Sequence, residues 1–158
     1  MIDRRAASDR FLSCYAGMRR KDLASLLQVH HVVITRWAKG ANVPWNKLKF
    51  LSDSQSVSWD WLLEGTEPKH SGKVPVEPES AHPEFDVTGI NTRFVSLFTG
   101  MSQADIAQAL EVSLPTVNQW CHGVCRVPWK QLDFAVTHFG VRWDWLLDGL
   151  EPKIPHHK

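Results

Sequence analysis

Eight tryptophans fall into four matched pairs, and that pairing limits the chain to one small domain written twice. Trp37, Trp45, Trp59 and Trp61 recur as Trp120, Trp129, Trp143 and Trp145, the first pair 83 residues apart and the others 84 apart. The same offsets align Gly17-Met18 with Gly100-Met101, Asp22 and Ala24 with Asp105 and Ala107, and Val43-Pro44-Trp45 with Val127-Pro128-Trp129. They also align Trp59-Asp60-Trp61-Leu62-Leu63 with Trp143-Asp144-Trp145-Leu146-Leu147, and Gly65 with Gly149. One residue inserted between Gly123 and Val127 accounts for the step from 83 to 84. The period is too long and the copies too few for a solenoid.

Each copy spans about 60 residues, a size that leaves little interior and demands efficient packing. Four tryptophans per copy supply it. Cys14, Cys121 and Cys125 sit at unmatched positions, so no shared disulfide framework is expected. Cys121, His122 and Cys125 lack a fourth ligand and a counterpart in the first copy, so no metal and no other cofactor is expected. With no secretory leader and no long apolar run, the chain reads as cytoplasmic, with no membrane partner.

The net charge of +1 conceals a polarity: residues 1–50 carry a net +7 and residues 51–90 a net −6. Such a division suggests either a localised anion-binding face or a solvated surface whose charge is merely lopsided. Between the copies, residues 70–90 hold Pro75, Pro78 and Pro83 with several acids. This composition reads as a flexible linker, with a root-mean-square reach of about 25 Å.

Both copies show helical periodicity and no strand signal. Phe11, Leu12 and Tyr15 share one helical face, and Leu23, Ala24 and Leu27 form the next stripe. Ile34 and Trp37 lie on a third helix, Leu48 and Leu51 on a fourth entered through Pro44, and Ser58–Glu64 forms a fifth closed by Gly65. The expectation is an all-α chain of two five-helix domains, 9–69 and 91–153, joined by the Pro-rich linker.

The second and third helices of each copy have helix-turn-helix spacing. A small residue stands where the helices cross (Ala24, Ala107), and apolar residues flank the turn (Val29, Val112). Ile34 and Trp37, or Val117 and Trp120, anchor the third helix from its inner side. Its outer side is then free to enter a major groove.

On these residues, and on the closing Val57–Gly65 and Val141–Gly149 segments, both copies resemble the lambda-type helix-turn-helix domain of phage CI repressors. Two features depart from that family. Gln28 and Glu111 occupy the turn position usually held by glycine, and only five residues, Ile154–Lys158, follow the second copy in place of a self-cleaving domain. The resemblance implies tandem lambda-repressor-like domains acting as a sequence-specific transcriptional regulator, repressor-like, on adjacent half-sites of double-stranded DNA.

The resemblance places base contacts on His30, His31, Val32, Thr35, Arg36 and Lys39, and on Ser113, Leu114, Pro115, Thr116, Asn118, Gln119 and His122. Arg19, Arg20, Lys21, Lys47 and Lys49 would meet phosphates in the first copy, with Gln103, Arg126 and Lys130 in the second. Trp59, Trp61, Trp143 and Trp145 are candidates for association, through a homodimer or pairing of the two domains by their last helices. Arg36 and Lys39 against Gln119 and His122 make the first copy the expected source of DNA affinity. The alternative is a protein-interaction adaptor or anti-repressor with weak or no DNA binding. With no Gly-rich phosphate loop, paired-carboxylate pocket or metal cluster, an enzyme is not expected.

Overall fold

The computed structural model describes residues 2–155. They hold ten helices and no strand, so the chain is all-α. It divides into two compact units, Ile2–Phe85 and the residues from Asp86 onward. The first contains α1 (Arg4–Ser13), α2 (Arg20–Leu27), α3 (His31–Ala38), α4 (Trp45–Gln55) and α5 (Trp59–Glu64). The second contains α6 (Val87–Ser96), α7 (Gln103–Leu110), α8 (Leu114–Cys121), α9 (Trp129–Phe139) and α10 (Trp143–Asp148).

Helix starts follow local chemistry. Asp3 and Asp86 accept from Ala6 and Gly89 N–H to begin α1 and α6, several residues before the starts at 9 and 91 read from the sequence. Apolar periodicity begins later than the capping residue, which explains the difference. Ser102 and Asp105 form a reciprocal capping box on α7. Pro44 and Pro128 precede α4 and α9.

Each core is organised by an aromatic edge-to-face contact. Trp37 meets Phe11 at 6.0 Å and 89°, and Trp120 meets Phe94 at 5.8 Å and 87°. Leu48, Leu51 and Leu62 fill the first interior, and Ile90, Leu132 and Leu146 the second, all fully buried. Arginines at matched positions tie the first helix of each unit to the last. Arg10 donates to Leu62 O at 3.0 Å, while Arg93 donates to Leu146 O at 2.9 Å and Leu147 O at 3.0 Å. Gly65 caps α5 at φ +75°, and a Cβ there would lie 2.8 Å from the Arg10 guanidinium, so glycine satisfies both demands.

The inserted residue of the second copy is absorbed by one substitution. In the first unit Ser8 Oγ accepts from Val43 N–H at 2.9 Å. In the second, the longer Asn91 accepts from Val127 N–H at 3.0 Å and donates to Cys125 O at 2.8 Å and Trp120 O at 3.1 Å. The wider loop is thereby fastened at both ends.

Residues 70–90 are not a free tether. His70 pairs with Val57 in an isolated antiparallel bridge, Ser71 N–H donates to Ser56 O at 2.8 Å and Val76 N–H to Asp53 O at 2.8 Å. Ala81 is buried, Phe85 meets Trp59 at 5.7 Å, and α6 already begins at Val87. Proline and acid content signals an extended chain but does not say whether that chain is docked. Here it runs as a strap on the first unit.

Two expectations follow from this packing. Tyr15 is the only tyrosine, and burial pushes its phenol up to about 12. An unfolded phenol titrates near about 10, so the unfolded chain releases its proton first and the first unit loses stability as pH rises through that window. Ultraviolet titration should show no phenolate near pH ~10 while circular dichroism reports a folded chain; a midpoint there would contradict the packing.

Gln28 and Glu111 cap α2 and α7 in the left-handed conformation, at φ +52° and +56°. Gln28→Gly and Glu111→Gly should each stabilise their unit by about 1 kcal/mol, raising its melting temperature by roughly 4 °C or more. A lowered melting temperature in calorimetry would argue against the strain.

Candidate functional site

The turn between α2 and α3 is closed by backbone geometry. Val29 N–H donates to Ala24 O at 3.0 Å, and Val112 N–H to Ala107 O at 3.0 Å, each across the left-handed Gln28 or Glu111. This 6→1 bond is the signature of a Schellman cap. It turns the chain sharply into α3 or α8. His30 Nδ1 accepts from Val32 N–H at 3.3 Å, and Ser113 Oγ accepts from Thr116 N–H at 3.3 Å, so both helices are N-capped by a side chain.

The inner faces of α3 and α8 are sealed. Ile34, Trp37, Val117 and Trp120 are all at most 3% exposed. The opposite row in the first unit is His30, His31, Val32, Arg36 and Lys39, all exposed, with Thr35 half-buried. Ser113, Leu114, Pro115, Asn118, Gln119 and His122 are exposed in the second, with Thr116 half-buried. Each unit therefore presents to solvent one helix side that is mostly polar, with Val32 in the first and Leu114 and Pro115 in the second as its apolar members.

That row is partly pre-arranged. Arg20 donates to Thr35 Oγ1 at 3.4 Å, and at the matched positions Asn118 donates to Gln103 Oε1 at 3.3 Å. The first residue of one helix thus steadies a residue on the exposed side of the next. The His30 and His31 rings lie 4.4 Å apart at 32°. Cys125 Sγ approaches Gln119 Oε1 at 3.7 Å, and His122 Nδ1–H donates back to Asn118 O at 2.8 Å. His122 is therefore turned toward its own helix.

Cations gather around α3 more than around α8. Arg19, Arg20 and Lys21 are exposed at the start of α2. The loose Arg19–Asp22 pair at 3.8 Å, exposed on both sides, leaves that charge available. Lys130 is exposed and Gln103 half-buried in the second unit. Arg126 lies 4.5 Å over the Trp129 ring and donates to Val127 O at 3.1 Å, and burial lowers its pKa from the usual arginine value.

Two assignments need correction. Lys47 is 2% exposed, and its ammonium donates to Leu27 O at 2.7 Å and Ala81 O at 2.6 Å with His82 Nδ1 at 3.0 Å. It fastens the strap to the core, and burial pulls its pKa below the ordinary lysine value. Lys49 pairs with Asp53 at 2.8 Å, and Lys73 of the strap completes the cluster at 3.3 Å. Both lysines lie on α4, Lys47 held by the strap and Lys49 by Asp53 of the same helix, neither of which spacing alone reveals.

The association residues need the same revision. Trp59 and Trp143 are fully buried and Trp145 is 8% exposed, each within its own unit. Trp61 is half-buried under the Lys69 ammonium at 4.9 Å, as Trp145 lies under Lys153 at 4.7 Å. The rings expected to pair domains instead close their own cores. Glu67-Pro68-Lys69 and Glu151-Pro152-Lys153 repeat at the 84-residue offset, a signal that would have revealed the covering lysines.

Arg4 and Arg5 also escape a reading based on matched positions. Arg4 stacks 4.1 Å over Trp45, as Arg126 does over Trp129, although the two arginines come from different parts of their copies. Arg5 brings its guanidinium to Gly40, just beyond the end of α3. Among the described residues, no three His, Cys, Asp or Glu side chains are grouped to hold a metal ion, and no helix is long and apolar enough to cross a membrane.

Comparison with known proteins returns no matching family model, no matching curated protein and no matching solved structure.

The Lys47 correction carries its own test. Lys47→Met would strip a buried donor from two carbonyls, at a cost of about 1–3 kcal/mol. Chemical denaturation should show the loss, and proteolysis near Ala81 should quicken as the strap detaches. Parental stability and an intact strap would mean that the ammonium is not the fastener.

Proposed function

We propose that the chain is a sequence-specific regulator that binds double-stranded DNA through two tandem lambda-repressor-like helix-turn-helix units, α3 and α8 being the reading helices. The observation that carries this reading is the two-sidedness of those helices: apolar anchors are sealed on one side, and a polar row stands in solvent on the other. An eight-residue helix with its polar side uncovered by its own unit has the dimensions to lie in a major groove.

The chemistry of the row suits bases. Arg36 would donate bidentately to guanine O6 and N7, and Asn118 or Gln119 would pair with adenine N6 and N7. Arg19, Arg20 and Lys21 would neutralise flanking phosphates, with Lys130 and Arg126 in the second unit. The N-termini of α3 and α8 add backbone N–H groups and a favourable dipole toward the phosphates. Thr35 and Asn118 come to the bases already steadied by Arg20 and Gln103.

The units are unequal readers. Arg20, Lys21, Arg36 and Lys39 in the first correspond to Gln103, Ala104, Gln119 and His122 in the second. The first unit supplies most of the affinity, and the second contributes a weaker half-site or an assembly role.

Selecting duplexes from a random pool would provide the binding site. On the selected duplex Arg36→Ala should weaken binding by roughly 5- to 150-fold and relax preference at one position. Lys21→Ala should reduce the salt slope by about one unit. Gln119→Ala should cost less than Arg36→Ala. An Arg36→Ala protein that holds the duplex as firmly as the parent contradicts the proposal.

A further inference from the structure

We propose that His82 makes the strap a pH-sensitive latch on the first unit, closed while its imidazole is neutral and opened when the ring gains a proton. Two donors converge on His82 Nδ1, the Lys47 ammonium at 3.0 Å and the Asn46 side-chain amide nitrogen at 3.4 Å. Neither nitrogen accepts a hydrogen bond, so Nδ1 must offer them a lone pair. The Lys47 ammonium also donates to Leu27 O at 2.7 Å and Ala81 O at 2.6 Å. Its three protons thus meet three acceptors. A protonated ring removes one acceptor and sets a second positive charge about 3.0 Å from the ammonium of a lysine only 2% exposed.

The other charges around the ring do not cancel that effect. Glu79 and Glu84 share an open pocket with His82, together with Lys49 and Asp53 of α4. Both glutamates belong to the strap, so they stay near the ring whether it is docked or released. Asp53 is already engaged by Lys49 at 2.8 Å and by Lys73 at 3.3 Å. Lys47 is therefore the charge that most distinguishes the docked ring from the released one.

The sign follows from proton linkage. The released strap binds the extra proton more readily, so docking weakens as pH falls. A free imidazole is half charged near pH ~6.5, so docking that needs the neutral ring should weaken about tenfold by pH ~5.5. The latch belongs to the first unit, because Gln131 stands at the matched position of Lys47. Its consequence for α3 rests on the DNA-reading proposal above. The same ammonium grips Leu27 O, where α2 ends and the turn into α3 begins, so acid slackens the support of that reading helix.

Limited proteolysis of the full chain without DNA tests the latch. A glutamate-specific protease can cut after Glu79, beside the fastened residues. His82→Gln, run in the same buffers, gives a reference that carries no titrating ring and cancels the pH dependence of the protease. The ratio of wild-type to variant cleavage after Glu79 should rise about tenfold from pH ~7.5 to pH ~5.5, with circular dichroism unchanged. A ratio that stays constant overturns the proposal. Should the variant not fold, amide signals of the wild-type chain decide. Ala81 should shift across the same window while Val76, held by Asp53 O, stays still. An unmoved Ala81 signal overturns the latch equally. A strap that loosens with acid in a chain that ignores DNA would leave the latch standing and defeat the reading role instead.

Discussion

The edge-to-face contact of Trp37 on Phe11, repeated as Trp120 on Phe94, is what permits a short helix to keep one whole side in water. Eight residues cannot hold a helix by hydrogen bonding alone. α3 and α8 persist because Ile34 with Trp37, or Val117 with Trp120, sink into a core that the first and last helices close. The Schellman turn sets the angle of entry, and Arg10 or Arg93 locks the closing helix to the first. The outward row is a consequence of those anchors, and any reading function inherits its geometry from them.

The two units share this frame and diverge on their outer faces. The first concentrates cations around α3 and covers α4 with its own strap, using Lys47, Lys49, Asp53 and Lys73. The second has weaker charge around α8 and leaves Phe134 of α9 exposed. Duplication followed by such exchange is a physical route to a division of labour, because surface substitutions leave the core energetics nearly untouched. Among the buried changes, Ser8 to Asn91 accompanies the loop insertion it fastens.

Much of this was legible from spacing. The matched tryptophans, the Val-Pro entries to α4 and α9, and glycines at positions 65 and 149 located the helices and the all-α class. The sealed and open sides of α3 and α8 followed from Ile34, Trp37, Val117 and Trp120. What escaped was tertiary. A lysine's sequence context does not reveal that two carbonyls 20 and 34 positions away will claim its ammonium, as Leu27 and Ala81 claim Lys47. The same blindness turned a docked strap into a linker. It also assigned to association tryptophans that their own cores and the lysines at 69 and 153 cover.

The central claim is that the uncovered side of α3 is where this protein meets DNA, and amide chemical-shift mapping tests it most directly. When the full chain is titrated with a selected duplex, the largest shifts should fall on Arg20 and on His31–Lys39. Smaller ones should appear on Leu114–Cys121, while Phe50, Asp53 and Val76 on the strap side stay still. Shifts centred on α4 and the strap, or none at saturating duplex, would contradict the account.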